Sequence, residues 1–190
     1  VKTAQGTVTA AGTLTVGSGA TYAIAATTTT VTGNSDINGA FTASTGEYDA
    51  DGAFDATGGS ITFSGAGELR VSGTVTSLGT LGTSAGSIEY DGGTQNVLAD
   101  AYYNLEIAES GVKTAQGTVT AAGTLTVGSG ATYAIAATST TVTGSTDING
   151  TLTASTGTFD ANGTFDATNG TIDFTGAGKL QCAGSVTSLG

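Results

Sequence analysis

Two short acidic segments of the chain have the residue types and spacing that could bind a hard cation. They are Asp49-Ala50-Asp51-Gly52 and Asp160-Ala161-Asn162-Gly163, which share the pattern D-x-[DN]-G. Calcium takes several oxygen ligands, and Asp or Asn at alternate positions beside a glycine bend can supply them. The candidate metal ligands are therefore Asp49, Asp51, Asp160 and Asn162. No other cofactor is suggested by the sequence.

The same two segments also have an interpretation without a metal. Compared with an EF-hand loop they lack the third acidic position and the distal glutamate, and the chain has no nonapeptide repeat of the calcium-roll type. Asp and Asn side chains also accept hydrogen bonds from the backbone of their own bend. Bend capping, with no cofactor, is the competing prediction for both segments.

The sequence offers little support for catalysis. It has no histidine and a single cysteine, Cys182, so the usual pairs of a nucleophile and a base cannot be assembled. Asp49, Asp51 and Asp55 are close enough in sequence to suggest a carboxylate pair of the kind that cleaves polysaccharides, but the second copy of Asp51 is Asn162. We predict that the protein is not an enzyme and has no catalytic residues.

Threonine pairs separated by one residue raise the hypothesis of ice binding. They occur at Thr7/Thr9, Thr13/Thr15, Thr28/Thr30 and Thr74/Thr76. An ice-binding face needs such pairs stacked on one flat side, one pair for each turn of the chain, and these pairs are offset along the sequence by no common period. Outward-facing threonine in short strands, with hydroxyl ladders between neighbours, is the competing interpretation.

Composition predicts extended structure and excludes several classes of partner. The 190 residues include 32 glycines and 40 threonines but no proline, and the net charge is −11 from 15 acidic and 4 basic residues. Threonine and other β-branched residues favour strands, and glycine favours tight bends. Nucleic acids and anionic membranes require basic patches, and no apolar run approaches the ~20 residues of a membrane span. We therefore expect no nucleic-acid partner, no binding to an anionic membrane surface and no membrane span.

A long internal repeat organises the chain. Residues 1–79 recur as residues 112–190, with 61 of the 79 paired positions identical. We therefore predict a complete repeat unit at 1–111 and a partial second unit at 112–190, continuous with the first in one solenoid. Because the pattern starts at the first residue and stops partway through the second unit, we expect the chain to be part of a longer array.

Substitutions between the two copies distinguish inward from outward positions. Val71 becomes Cys182, which predicts a small inward-facing site for the thiol. The exchange of Tyr48 for Phe159 predicts that the tyrosine hydroxyl is not indispensable. Charged and polar exchanges fall where the pattern points outward: Glu47/Thr158, Thr62/Asp173, Glu68/Lys179 and Arg70/Gln181.

The spacing of apolar residues predicts the fold. They recur every six to eight positions within a local period of two, as in Ile61-Thr62-Phe63, and Gly, Ser, Asn and Asp lie between them. This pattern predicts very short strands and frequent bends. Three faces per turn give coils of roughly 20 residues, so we predict an all-β fold, a parallel β-solenoid. The alternative is a row of tandem β-sandwich domains, whose strands are longer and more widely spaced.

Three segments resemble the repeats of very large bacterial surface proteins. They are Ser87–Val97 (SIEYDGGTQNV), Tyr102–Ile107 (YYNLEI) and Gly117–Val127 (GTVTAAGTLTV), similar to units of the style GTVTYNGxxxQTV, YYNLxI and GTLTV. The resemblance covers essentially the whole chain. It implies a right-handed parallel β-helix, as in the shafts of filamentous haemagglutinin and autotransporter adhesins, and an exported protein of the cell surface or of a fibre. It supplies no catalytic residues.

Together these observations predict a structural, non-enzymatic segment of a bacterial extracellular fibre, adhesin shaft or sheath. The expected location is extracellular or on the cell surface, and the expected partners are further copies of the same repeat or protein. A calcium-dependent or ice-binding surface adhesin is the alternative. A globular pilin-like subunit that polymerises by strand exchange is a third hypothesis.

Overall fold

The structure is a computed structural model of the chain that describes residues 1–82 and 84–190. The described residues form short parallel strands joined by bends, stacked as a β-solenoid, with no helix among them. This confirms the predicted solenoid over tandem sandwiches, whose strands pair antiparallel. These same residues accordingly include no helix that could serve as an apolar membrane span.

The chain divides into two compact units, unit 1 at Val1–Glu89 and unit 2 at Tyr90–Gly190. The sequence repeat begins again elsewhere, within a strand of unit 2. The strands of unit 1, the last of which ends one residue into unit 2, are β1 Lys2–Ala4, β2 Val8–Ala10, β3 Leu14–Val16, β4 Thr21–Ile24, β5 Thr28–Val31, β6 Ser35–Ile37, β7 Ala40–Ala43, β8 Glu47–Ala50, β9 Phe54–Asp55, β10 Ser60–Phe63, β11 Glu68–Val71, β12 Val75–Ser77, β13 Thr80–Leu81 and β14 Ser87–Tyr90.

Unit 2 has the same kind of short strand throughout. Its strands are β15 Gln95–Val97, β16 Ala101–Tyr102, β17 Asn104–Ile107, β18 Gly111–Ala115, β19 Val119–Ala121, β20 Leu125–Val127, β21 Ala131–Ile135, β22 Ser139–Val142, β23 Thr146–Ile148, β24 Thr151–Ala154, β25 Thr158–Ala161, β26 Phe165–Asp166, β27 Thr171–Phe174, β28 Lys179–Cys182 and β29 Val186–Ser188.

Every third strand joins the same sheet, so each unit is built from three parallel sheets. In unit 1 the first sheet has the order β1-β4-β7-β10-β13, the second β2-β5-β8-β11-β14 and the third β3-β6-β9-β12. In unit 2 the orders are β15-β18-β21-β24-β27, β16-β19-β22-β25-β28 and β17-β20-β23-β26-β29. Paired residues such as Tyr22 and Phe41, or Thr9 and Thr30, are 19 and 21 positions apart, which confirms the predicted length of a coil.

The core of each unit lies between its three sheets. In unit 1, Phe41 of the first sheet contacts Tyr48 of the second with ring centroids 5.1 Å apart, and Tyr48 contacts Phe54 of the third at 6.3 Å. All three side chains are 1% exposed. Edge-to-face aromatic pairs contribute about 0.5–1.5 kcal/mol beyond the burial of their area. Inward side chains from all three sheets therefore meet in one core, and the alternate residues face solvent.

Columns of glycine occupy the corners where one coil lies on the next. One column in unit 1 comprises Gly12, Gly33, Gly52 and Gly73. A Cβ atom on Gly52 would lie 2.2 Å from the carbonyl oxygen of Gly33, and one on Gly73 would lie 2.2 Å from the carbonyl oxygen of Gly52. None of the four has a positive φ. Glycine is required here because neighbouring coils approach at the strand spacing of about 4.8 Å, and a side chain would hold them apart.

The corresponding column of unit 2 behaves in the same way. It comprises Gly123, Gly144, Gly163 and Gly184, and a Cβ atom on any of the last three would lie 2.0–2.2 Å from the carbonyl oxygen of the glycine below. Of all glycines in residues 1–79 only Gly58 is replaced in the second copy, by Asn169. A Cβ atom on Gly58 would have no neighbour within 4 Å. The copies therefore retain every glycine that a neighbouring coil crowds.

We predict that Gly52→Ala destabilises the protein, because its methyl group would overlap the Gly33 carbonyl. Overpacking of this kind costs about 1–3 kcal/mol, measurable as a lower midpoint of urea unfolding. Gly12→Ala is the matched control from the same column. No atom lies within 4 Å of a Cβ on Gly12, so the free energy of unfolding should stay within about 0.5 kcal/mol. Equal losses in the two variants would contradict a steric role for the column.

Candidate functional site

The structure places the four predicted calcium ligands on the outer side of two equivalent corners. Asp49 lies in β8 and Asp51 directly after it, while the intervening Ala50 is fully buried. The two carboxylates therefore share the outward side. Asp160 and Asn162 flank the buried Ala161 in the same way.

Each acidic segment ends in a glycine, and the packing of the coils explains that glycine without a metal ion. Gly52 and Gly163 belong to the two glycine columns, where the preceding coil leaves no room for a Cβ atom. The D-x-[DN]-G spacing thus follows from a corner of the solenoid. It does not by itself indicate a metal-binding loop.

In the part of the chain that the structure describes, no third histidine, cysteine or acidic side chain joins either acidic pair. A metal site built from such side chains would place three potential ligand atoms within 4.8 Å of one another. Among the described residues, no such group includes Asp49, Asp51 or Asp160. The residue in register with Asp49 on the following coil is Arg70, whose guanidinium is a cation itself. Calcium binding stays a prediction that the geometry does not strengthen.

The third carboxylate considered for catalysis lies on a different sheet. Asp55 is in β9 of the third sheet of unit 1, whereas Asp49 is in the second. One carboxylate oxygen of Asp55 accepts hydrogen bonds from the backbone N–H and the hydroxyl of Thr57, at 2.9 and 2.7 Å. This is the capping of a bend by its own aspartate. Asp36, in register with Asp55, accepts a hydrogen bond from the Asn38 amide.

Equivalent caps recur in unit 2. The Asp147 carboxylate accepts a hydrogen bond from the Asn149 amide at 3.0 Å. The backbone N–H of Thr168 donates to the Asp166 carboxylate at 2.9 Å, and the Thr168 hydroxyl does so as well. The side-chain bond and then the backbone bond from Thr168 lower the pKa of Asp166. The sequence had suggested caps at the D-x-[DN]-G segments, and these observed caps lie one corner further along the chain.

A small ionic network lies on the outer side of the second sheet of unit 1. The Arg70 guanidinium lies 3.3 Å from a carboxylate oxygen of Glu47 and 3.3 Å from one of Glu89. In the second copy the positions of Glu47, Glu68 and Arg70 are held by Thr158, Lys179 and Gln181. The predicted outward placement of these exchanges is confirmed, and the acidic and basic residues have changed together.

Hydroxyl pairs inside the coils form the polar part of the core. The Tyr22 hydroxyl lies 2.8 Å from that of Thr29, and their copies Tyr133 and Thr140 are also 2.8 Å apart. Such pairs satisfy buried polar groups that would otherwise cost about 1–3 kcal/mol each. They hold neighbouring sheets of one coil together and leave no reactive group exposed.

A closed set of hydrogen bonds surrounds the buried hydroxyls of Tyr90 and Tyr102. The Tyr102 hydroxyl donates to the Leu98 carbonyl at 2.9 Å, the Leu98 N–H donates to the Tyr90 oxygen at 3.3 Å, and the two tyrosine oxygens are 3.0 Å apart. Because the Tyr102 proton is engaged by Leu98, Tyr90 donates to Tyr102. This ring supports the bend between β15 and β16.

The Tyr48/Phe159 exchange has a structural consequence that the sequence did not reveal. The Tyr48 hydroxyl lies 2.8 Å from that of Ser35, in the core. In the second copy Ser35 is replaced by Thr146, which is 2% exposed, and its hydroxyl has no hydrogen-bond partner. The equivalent coil of the second copy lacks this hydroxyl, and its absence leaves a buried polar atom unsatisfied.

Lys113 carries a buried ammonium group that supports a bend of unit 2. It is fully buried, and its ammonium group donates to the backbone carbonyls of Ala108, Glu109 and Ser110, at 3.1 Å for Glu109 and 3.0 Å for Ser110. Glu109 adopts a φ of 52°, which turns this bend around the ammonium. The first copy, Lys2, is exposed. The three carbonyls that enclose Lys113 belong to residues that precede the VKTAQ motif.

Cys182 occupies the inward position that was predicted for it. It is in register with the buried Ala161, although it is itself only partly buried. Burial, followed by the nearby Asp160 carboxylate, raises the pKa of the thiol. A raised pKa keeps the thiol protonated and unreactive at neutral pH.

One outer face of unit 1 carries no charged side chain, and we call it the neutral face. It is the outward side of the first sheet, in two rows that follow the strand register: Thr3, Ala23, Thr42 and Thr62 in one row, and Thr21, Ala40, Ser60 and Thr80 in the other. In the described residues, none of its hydroxyl groups hydrogen-bonds to another protein group. The neutral face is therefore free to contact water or a partner.

A shallow groove of about 400 Å³ adjoins the neutral face at the corner leading into β4, β7 and β10. It is lined by small uncharged residues, among them Ser18, Asn38, Gly58 and Ser60. The groove has no acid, base or thiol with which to act on a ligand. It extends the uncharged surface around the corner.

The threonine pairs that suggested ice binding do not share one side of unit 1. Thr9 and Thr30 are neighbours in register on the second sheet, whereas Thr15 lies on the third sheet, in register with Asp36. Two of the four pairs therefore share a side, Thr7/Thr9 with Thr28/Thr30, which are one coil apart, and Thr13/Thr15 does not join them. The threonines that do stack on one uncharged side, those of the neutral face, are mostly not part of Thr-x-Thr pairs.

Comparisons with known proteins give no further assignment. No protein-family model, no curated protein and no solved structure matches the chain.

We predict that Phe159→Tyr stabilises the protein, because the new hydroxyl can reach Thr146 as Tyr48 reaches Ser35. The gain should be about 1 kcal/mol, measured by urea unfolding. The same substitution in a Thr146→Val background is the control, and there the gain should disappear. A gain that survives in the Thr146→Val background would show that the two hydroxyls do not interact.

We also predict that stability falls as the pH rises above 10. Burial raises the pKa of Tyr48 to about 12 and that of Tyr90 to about 12, and it raises the pKa of Tyr102 and Tyr133 as well. Unfolding returns these groups to pKa values near 10, so it releases protons between pH 10 and 12. Each tyrosine lowers the free energy of unfolding by about 1.4 kcal/mol per pH unit in that window.

Tyrosinate absorbance at 295 nm, recorded together with circular dichroism, tests this expectation. Ionisation of the four buried tyrosines should coincide with loss of β structure, and Tyr48→Phe should make the decline in stability shallower. Ionisation of these groups in a chain that stays folded would contradict the buried geometry.

Proposed function

We propose that this chain is a structural, non-enzymatic segment of a bacterial extracellular fibre, adhesin shaft or sheath. One observation supports the proposal above the others. The coils stack through backbone ladders, a shared core and glycine corners, and the two copies differ mainly at outward positions. Repeats of this kind gain stability from contacts between neighbours, so adding coils extends the same core.

The distribution of polar chemistry agrees with a structural role. The hydroxyls of Tyr48 and Tyr90 and the ammonium of Lys113 are hydrogen-bonded in ways that support bends and sheets, and Asp55 and Asp166 cap corners. The uncharged groove beside the neutral face has no acid, base or thiol among its lining residues that could activate their hydroxyls.

Surface labelling of intact bacteria tests the location. Antibodies raised against residues 1–190 should label intact cells that produce the protein, and protease added outside should remove the label while a cytoplasmic marker stays protected. Labelling that requires lysis of the cells would overturn the proposed extracellular role.

Thermal melting with and without calcium tests the main alternative. Under the structural proposal the melting temperature is the same in 5 mM calcium and in chelator, apart from ionic strength. A rise with calcium that Asp160→Asn or Asp49→Asn removes would favour a calcium-dependent adhesin in its place.

A further inference from the structure

We propose that the neutral face of unit 1 is a lateral contact surface for a second copy of this chain. The inference rests on the proposed fibre function for the identity of the partner, and it deepens that function by naming the surface. It is carried by the distribution of charge among the three sheets and by the regular spacing of uncharged hydroxyls on one of them.

The other two sheets of unit 1 oppose self-association. The outward side of the second sheet carries Glu47, Asp49, Glu68 and Glu89 around Arg70, and that of the third carries Asp36 and Asp55 in register. Two like charges 4–5 Å apart repel by about 1 kcal/mol even in water, and face-to-face contact would repeat this for each carboxylate. Copies that carry a net charge of −11 therefore meet with least repulsion at the neutral face.

The neutral face also has the geometry of a self-complementary surface. Its two rows follow an unbroken parallel register, with Ala23, Thr42 and Thr62 aligned in one and Ala40, Ser60 and Thr80 in the other. A second copy related by a two-fold axis presents the same ladder at the same strand spacing of about 4.8 Å. Threonine and serine hydroxyls can then pair across the contact, with the threonine methyls and alanines filling the space between them.

The size of the face sets the strength of the contact. Five strands at about 4.8 Å and up to four residues per strand cover only a few hundred Å² on each copy, below the ~800 Å² per partner of a stable complex. A single contact is therefore weak. In the second copy the position of Thr62 is held by Asp173, in register with Thr153, so the contact is confined to repeats that keep this row uncharged. Several such repeats in one fibre would raise the total affinity through their effective concentration.

Sedimentation over a wide concentration range, at 0.15 M and 0.5 M NaCl, tests the inference. The unmodified chain should show an average mass that rises above 18.2 kDa with concentration, and more strongly at the higher salt, because screening weakens the net repulsion. The double variant Thr42→Asp/Thr62→Asp places four carboxylates in a two-fold contact and should weaken association about tenfold or more.

The double variant Thr9→Asp/Thr30→Asp is the matched control. It makes the same chemical change at two residues in register on the outward side of the second sheet, and it should associate as the unmodified chain does. Thr42→Asn/Thr62→Asn, which adds polar bulk without charge, should retain most of the association. Melting temperatures of all variants show that each is folded.

Three results would overturn the inference. The first is a chain that stays monomeric to its solubility limit at both salt concentrations. The second is equal weakening by the Thr9/Thr30 and the Thr42/Thr62 substitutions. The third is a monomer that lowers the freezing point of water below its melting point, with the effect lost in Thr42→Asp/Thr62→Asp, which would assign the face to ice. Surface labelling of cells is independent of this assay, so the proposed function and this contact can fail separately.

Discussion

The close approach of neighbouring coils is the constraint on which the rest of this structure depends. Parallel strands hydrogen-bond at about 4.8 Å, and each coil must keep that spacing at its corners as well as along its strands. At the corner of Gly33, Gly52 and Gly73 the backbone of one coil lies directly on the carbonyl below. The glycines allow the ladders to continue around the corner, and the ladders in turn align the inward residues into a core.

Once the coils are stacked, each residue has one of three environments. Inward positions hold aromatic and aliphatic side chains, with hydroxyl pairs such as Tyr22 with Thr29 satisfying the polar atoms among them. Corner positions hold glycines and aspartate caps. Outward positions tolerate charge reversal, as between Glu68 and Lys179. The function we propose uses only the stacking, and the contact we infer uses the one outward surface of unit 1 from which charge is absent.

Much of this fold could be predicted from the sequence, because its apolar residues follow two periods, a short one within strands and a longer one between them. Local alternation, as in Ile61-Thr62-Phe63, indicated short strands, and the wider spacing of the apolar residues indicated the length of a coil; both are confirmed. The role of the corner glycines was only half predicted. Sequence reasoning assigned them to tight bends, whereas the crowding at Gly52 comes from Gly33 on another coil. Contacts between coils are not visible in a local pattern.

The candidate sites were less predictable for the same reason. D-x-[DN]-G resembles part of a calcium loop, but the residue beside Asp49 on the next coil is Arg70. The ammonium of Lys113 is enclosed by a bend of Ala108, Glu109 and Ser110, which precede the repeated motif and belong to no pattern that the sequence reasoning used. The neutral face was missed because its members are neighbours in register and not in sequence. A search at the spacing of one coil, in place of Thr-x-Thr pairs, would have found it.

The glycine columns also determine how such a protein can be lengthened. Each column glycine contacts the one before it and the one after it, so any inserted segment must supply its own glycine at the same corner. A duplicated stretch that begins and ends at equivalent corners meets this condition whatever its outward residues are. The smallest such insertion is a single coil, and so this architecture could be re-engineered in steps far finer than the period of its sequence repeat.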